Sequence, residues 1–248
     1  MTRALLLVWA LAGCEKNLLV GMDASIDAPV TVADAPTHCP AVTTNPLPAG
    51  RFKLYVNTEG VAIMKCSADD ARTNCSTIPT GNATIPPFLP GDPNRQALID
   101  AIVVRVQDKL APYSVDVITT RPTSGEYAMS VIGGDPTLIG QASNALSTGG
   151  EACSFDNHNH VTFAFDRGSG PGYNDYAWSV VSDFALGVGL APTGTANDCE
   201  CRVGSCGSPE PSICEWGSNV PVPADPPHDC ARTAQDEPML LSAALGCR

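Results

Sequence analysis

Positive charge is scarce in this 248-residue chain: 14 Lys and Arg stand against 26 Asp and Glu, a formal net charge of −12. No cluster of basic residues occurs, which excludes a phosphate-gripping face for nucleic acid. Long apolar runs are missing too, and none approaches the roughly 20 residues that a membrane-spanning helix needs. No serine lies in a Gly-x-Ser-x-Gly or Ser-x-x-Lys setting, so the sequence gives no support to serine acylation. The glycine-rich stretches at 133–134, 149–150 and 168–172 lack the Lys and the strand–loop–helix order of a phosphate cradle, and read as loops.

What the chain has in quantity is Gly (22), Pro (22) and Cys (11). That composition points to a loop-rich protein stapled by disulfides in an oxidising compartment. The N-terminus agrees. Arg3 is followed by nine apolar residues, Ala4 to Ala12, and then Gly13-Cys14. One charge and a short apolar stretch read as a signal peptide over 1–13. Leu11-Ala12-Gly13-Cys14 resembles a bacterial lipobox, which implies cleavage before Cys14 and lipid attachment to its thiol. Acyl chains stabilise membrane attachment by about 0.8 kcal/mol per buried CH₂. The expected address is the cell envelope, on the periplasmic side or at the outer membrane surface.

Residues 14–50, rich in Ala, Pro, Thr and Asp, show no hydrophobic periodicity and read as a tether. Setting Cys14 aside for lipid leaves ten cysteines: Cys39, Cys66, Cys75, Cys153, Cys199, Cys201, Cys206, Cys214, Cys230 and Cys247. An even number suits disulfides throughout. Cys66 and Cys75 are near enough to staple a local loop, and Cys39 is expected to join the tether to the body. Six of the ten lie in the last fifty residues, marking 193–248 as a cystine-rich C-terminal region. The Cys199-x-Cys201 spacing does not suit paired zinc ligands.

The body spans 51–192. Residues 51–66 alternate apolar and polar about Glu59-Gly60, predicting a strand pair joined by a tight turn. Asp92-Pro93 reads as a helix start. Leu98, Ile99, Ile102, Val103, Val106 and Leu110 then keep helical spacing, with Arg95, Asp100, Arg105 and Lys109 outside. Strands are predicted at 114–120, 126–132 and 160–165. A second helix follows over 173–190, with Tyr173, Ala177, Val180, Phe184 and Val188 on one face. A closing C-terminal helix includes Met239. The fold class is α/β (α+β): one mixed twisted sheet packed by two main helices, with a disulfide-rich C-terminal extension.

This order resembles the catalytic domain of metzincin-type zinc metallopeptidases, and in particular secreted predicted metalloproteases of the myxobacterial type. The segments that carry the likeness are Asp69-Asp70-Ala71-Arg72-Thr73-Asn74, Leu110-Ala111-Pro112-Tyr113 before a Val-rich strand, and Thr119-Thr120-Arg121-Pro122. In such families the second helix carries His-Glu-x-x-His-x-x-Gly-Leu, whose two imidazoles share a helix face and whose Glu acts as base on zinc-bound water. Setting that Gly-Leu on Gly189-Leu190 puts Ser182 and Leu186 at the histidine positions. Asp183 takes the place of the Glu, and Pro192 that of the third ligand. Leucine offers zinc no lone pair, and a serine hydroxyl is a poor ligand at neutral pH. The resemblance therefore implies a degenerate peptidase with no catalytic residue and no cofactor, serving as a binding or structural module for a peptide or protein. The methionine turn of that family is not carried over to Met239.

Two other readings stand beside it. His158 and His160 form a His-x-His pair entering a strand, which His228 or Asp156 could complete as the relocated metal site of a hydrolase. An adhesion role for the C-terminal region would instead require an exposed aromatic or apolar patch near Trp216.

Overall fold

The computed structural model describes residues 39–40, 49–166, 172–202, 214–224, 230 and 232–248. Cys14, Cys206, His228, the signal peptide and most of the tether lie outside the described residues.

The elements run β1 (Phe52–Asn57), β2 (Val61–Lys65), β3 (Cys75–Ser76), β4 (Ala83–Ile85), α1 (Arg95–Leu110), β5 (Val115–Ile118), β6 (Ala128–Ile132), β7 (Ser147–Thr148), β8 (Val161–Ala164), α2 (Tyr173–Gly187), β9 (Val220–Pro221), β10 (Ala234–Gln235) and α3 (Glu237–Leu245). The main sheet has the order β5-β1-β6-β8-β7, parallel except for the antiparallel edge strand β7. A three-stranded sheet, β3-β2-β4, and the short β9–β10 pair complete a mixed α/β fold.

The main sheet is buried on both faces, as parallel sheets are. Successive side chains of a strand point to opposite faces. Leu54, Val56, Ala128, Ile132 and Ala164 accordingly face one core, which they share with α1, α2 and α3. Tyr55, Met129, Val131, Val161 and Phe163 face a second core, closed by Ile63, Ile85, Ala71 and Ile139. The expected helical stripe on α1 buries Ile99, Ile102, Val106 and Leu110. The C-terminal helix is present, and its Leu241 and Leu245 join the helix-side core. Met239 points outward at 46% exposure.

Several expectations need correction. β1 and β2 do not pair with each other: β1 lies between β5 and β6, whereas β2 pairs with β3 and β4. The physical reason is the turn between them, which is held from outside. Arg95 donates to the carbonyls of Thr58 and Phe88, both at 2.7 Å, and to Glu59 at 2.8 Å. Gly60 sits at φ +76°, with the Ile85 carbonyl 2.6 Å from where a Cβ would stand. Arg95 is therefore a fastener and not a solvated residue. Lys109, also expected outside, donates to the Cys214 carbonyl. Helix α1 begins at Arg95 because Asp92 accepts the Asn94 N–H at 2.7 Å, closing a turn ahead of the helix. Strand β7, hidden in the long glycine-containing loop, was not legible at two residues.

Disulfides join Cys39 to Cys247, Cys66 to Cys75, Cys153 to Cys230 and Cys199 to Cys214. Cys201 is disulfide-bonded as well. Such bridges form and persist in oxidising surroundings, so the folded chain is extracytoplasmic. No helix among the described residues is long and apolar enough to cross a membrane.

Candidate functional site

Helix α2 brings Ser182 and Asp183 into the interior, where both are 0% exposed. A buried carboxylate is costly unless a charge or a set of donors meets it. Here the partner comes from residues 198–202, where Thr193 bridges to Cys201, Asp198 bridges to Glu215, and Cys199 is disulfide-bonded to Cys214. From this strap Arg202 donates to Ser182 Oγ through Nε at 2.9 Å and through a terminal nitrogen at 2.7 Å. It reaches Asp183 Oδ1 at 2.5 Å. Ser182 in turn donates to Glu200 Oε2 at 3.2 Å. The guanidinium lies 5.8 Å from the centre of the Trp178 ring, and the Trp178 indole N–H donates to the Cys199 carbonyl at 3.0 Å.

A guanidinium thus occupies the space beside Ser182 and Asp183, the residues that the sequence resemblance would set at the first-histidine and glutamate positions of a zinc motif. It carries positive charge and only donors, so it neutralises Asp183 without offering a Lewis-acid centre or a proton acceptor. Burial pushes the Asp183 carboxyl up, and Arg202 opposes that rise. Burial also lifts Glu200 well above the usual carboxylate range, again against Arg202. Burial works against the Arg202 charge, but Asp183 and Glu200 outweigh it and hold the guanidinium protonated.

The remaining motif positions do not join this network. Leu186 is 4% exposed, and its carbonyl accepts the Ala152 N–H at 3.1 Å. Gly189 lies past the helix end at φ +112°, and Pro192 is half-buried. The next residue pair over, Gln235 and Ala191, exchanges two hydrogen bonds at 2.9 and 2.8 Å, tying β10 to the exit of α2.

Gln235 leads to a second acidic group. Asp198 and Glu237, 4% and 0% exposed, are hydrogen-bonded to each other through their carboxyls. Asp198 also accepts from Thr193 Oγ1 at 2.9 Å and from the Glu200 N–H at 2.8 Å. Beside them an open cavity of about 450 Å³ is lined by Asn197, Asp198, Glu215, Gly217 and Asn219.

The histidine pair is separated by its partners. His158 meets Glu126 at 2.9 Å on the surface. His160 is buried, and its Nδ1 donates to the Asn157 carbonyl at 3.1 Å. Its Nε2 faces α2, so closely that a Cβ at Gly187 would stand 2.6 Å away. Burial lowers the His160 pKa and keeps the ring neutral. Among the described residues, no group of three or more His, Cys, Asp or Glu converges as a metal site would. Trp216, half-buried, packs on the helix-side core with the Lys109 ammonium 5.9 Å from its ring centre.

The segments 69–74 and 119–122, singled out in the sequence, meet in the structure. Arg121 donates to the Ala71 carbonyl at 2.7 Å and to Asn74 Oδ1 at 2.6 Å. The residues that sequence reasoning passed over are Arg202, Glu200, Asp198 and Glu237. The available signal was the charge spacing Asp198-Cys199-Glu200-Cys201-Arg202 in a cystine-rich segment, which the structure folds into a turn closed by the Cys201 N–H on the Asp198 carbonyl at 3.1 Å. No family model and no curated protein matches the chain.

Proposed function

We propose that this chain is a lipid-anchored protein of the bacterial envelope whose body is a metallopeptidase-like domain without a metal centre, serving to bind a peptide or protein. The observation that carries the reading is the Arg202 guanidinium bonded to Ser182 and Asp183. A cation needed there is supplied by the chain itself, and the two carboxyls beside it, Asp183 and Glu200, are bonded to Arg202 and Ser182 respectively. Leu186 adds an aliphatic side chain where a second ligand would be required.

The binding surface of this reading is the edge strand β7, last in the main sheet and partly exposed. An extended peptide adds to such an edge through main-chain hydrogen bonds. A Cβ at Gly149, just past β7, would stand 2.9 Å from the Asp183 carbonyl oxygen, so the edge and the arginine-filled position are neighbours. Lipid attachment at Cys14 would hold the module at a membrane.

The test is a hydrolysis assay of the purified full chain on a mixed fluorogenic peptide library with zinc added. Turnover equal to the buffer blank is the expected result. Zinc-dependent turnover that a chelator abolishes overturns the reading. For the anchor, Cys14→Ser is expected to abolish incorporation of labelled palmitate and to release the chain from membranes. Unchanged labelling refutes the anchor alone.

A further inference from the structure

We infer that Asp198 and Glu237 form a proton-held latch, which fastens α3 and residues 215–217 to the strap carrying Arg202 and loosens as the pH rises above neutral. This latch stands on its own geometry and does not depend on the peptide-binding reading.

Two carboxyl groups can hydrogen-bond only while a proton lies between them. Asp198 is already the acceptor for Thr193 Oγ1 at 2.9 Å and for the Glu200 N–H at 2.8 Å. Those donors favour its ionised form, so Glu237 holds the proton and donates. Glu237 is also the point where three pieces of chain are joined. Its N–H donates to the Gly217 carbonyl at 3.0 Å, and its Oε2 accepts the Gly217 N–H at 2.9 Å. Its Oε1 accepts from Gln235 at 2.9 Å, and Gln235 holds Ala191 at the end of α2.

Among the described residues, the charges around the pair do not offer Glu237 a counter-ion of its own. From the strap and α2 come Glu200, Asp183 and Arg202, and Arg202 is engaged by Ser182 and Asp183. Lys109 of α1 acts on both Glu215 and Glu237, but burial weakens its charge, and its ammonium is bonded to the Cys214 carbonyl. Tyr113 and Asp236 complete the surroundings. Burial, reinforced by the Asp198 charge, pushes the Glu237 carboxyl up to about 9.

The native state therefore keeps a proton that the unfolded chain releases above pH 4.5. Its contribution is whole below that value and is lost as the pH climbs toward about 9. Lys109 acts in the opposite direction, since its folded pKa is lowered. Tyr113, whose pKa is raised from 10.0, adds nothing in this window.

The test is hydrogen exchange by mass spectrometry on the full chain from pH 6 to 10, with rates corrected for base catalysis. One linked proton makes the opening equilibrium of α3 rise about tenfold per pH unit relative to α1, and flatten once Glu237 has ionised. Glu237→Gln, which keeps a neutral donor toward Asp198, is expected to shallow the slope by that one proton while α3 stays protected. Asp198→Asn removes the reinforcing charge and leaves the burial, so its slope is expected to flatten at a lower pH than in wild type; this variant serves if the first folds poorly. A slope in Glu237→Gln equal to that of wild type, a flattening point unmoved in Asp198→Asn, or no pH dependence at α3 in wild type overturns the latch.

Discussion

Arg202 binds Asp183 at 2.5 Å within a site where the carboxylate is fully buried and the guanidinium is 19% exposed. The bond spans 19 residues of sequence and crosses from the cystine-held strap to α2. On the proposed reading, it puts an internal ion pair at the position where a metallopeptidase would carry out its metal chemistry. Removing one partner of such a pair costs far more than the pair contributes, because the other charge stays buried alone.

Arg202→Met is accordingly expected to lower unfolding free energy by about 3–5 kcal/mol, read from denaturant midpoints. Adding Asp183→Asn to that variant should recover part of the loss, since no naked carboxylate remains. A loss below about 1 kcal/mol for Arg202→Met would show that the pair is not structurally required.

The seat of α2 on β8 yields a second expectation. Gly187 leaves room for the His160 ring, and a Cβ there would fall 2.6 Å from it. Gly187→Ala should cost about 1–3 kcal/mol through overpacking. The double variant Gly187→Ala/His160→Ala should be less destabilised than the sum of its parts. Additive losses in thermal or denaturant unfolding would mean that the two residues are not coupled.

Protonation of His160 is the third. Burial lowers its pKa from 6.5, so the native ring is neutral where an unfolded chain's histidine is half charged. The contribution of that neutral ring is present above pH 6.5 and is lost as the pH falls through the lowered value. An NMR titration should show the His160 ring protons unmoved at pH 6.5. A midpoint at or above 6.5 would contradict the burial.

The Cys39–Cys247 bridge, spanning 208 residues, gives a fourth. Chain-entropy arguments assign such a bridge about 5 kcal/mol, against about 3 kcal/mol for the 9-residue Cys66–Cys75 loop. Cys39→Ser should therefore destabilise the chain more than Cys66→Ser in matched denaturant series. The reverse order would show that strain or residual denatured structure governs both.

Much of the architecture was readable because it depends on local pattern. The stripe Ile99, Ile102, Val106 and Leu110 is a helical period, and it is buried as that period requires. The runs that became β5, β6 and β8 were apolar enough to be found without knowing their partners. Pairing was less legible. Nothing local to Tyr55 or Ile63 says that their strands belong to different sheets, since that division is fixed by Arg95 reaching back some 36 residues to the intervening turn. The site shows the same split. Ser182, Asp183 and Leu186 could be placed on one helix by spacing alone. Arg202 could not, because its contact with Asp183 depends on how the cysteines fold the strap back over α2.

On the proposed reading, the chain's own arginine holds the position a metal would need. The most direct test of that claim is elemental analysis of the purified full chain, dialysed against zinc and then against metal-free buffer. The account requires zinc at background level, in wild type and in Asp183→Asn alike. Stoichiometric zinc retained through dialysis, removed by a chelator and accompanied by peptide hydrolysis, would contradict it.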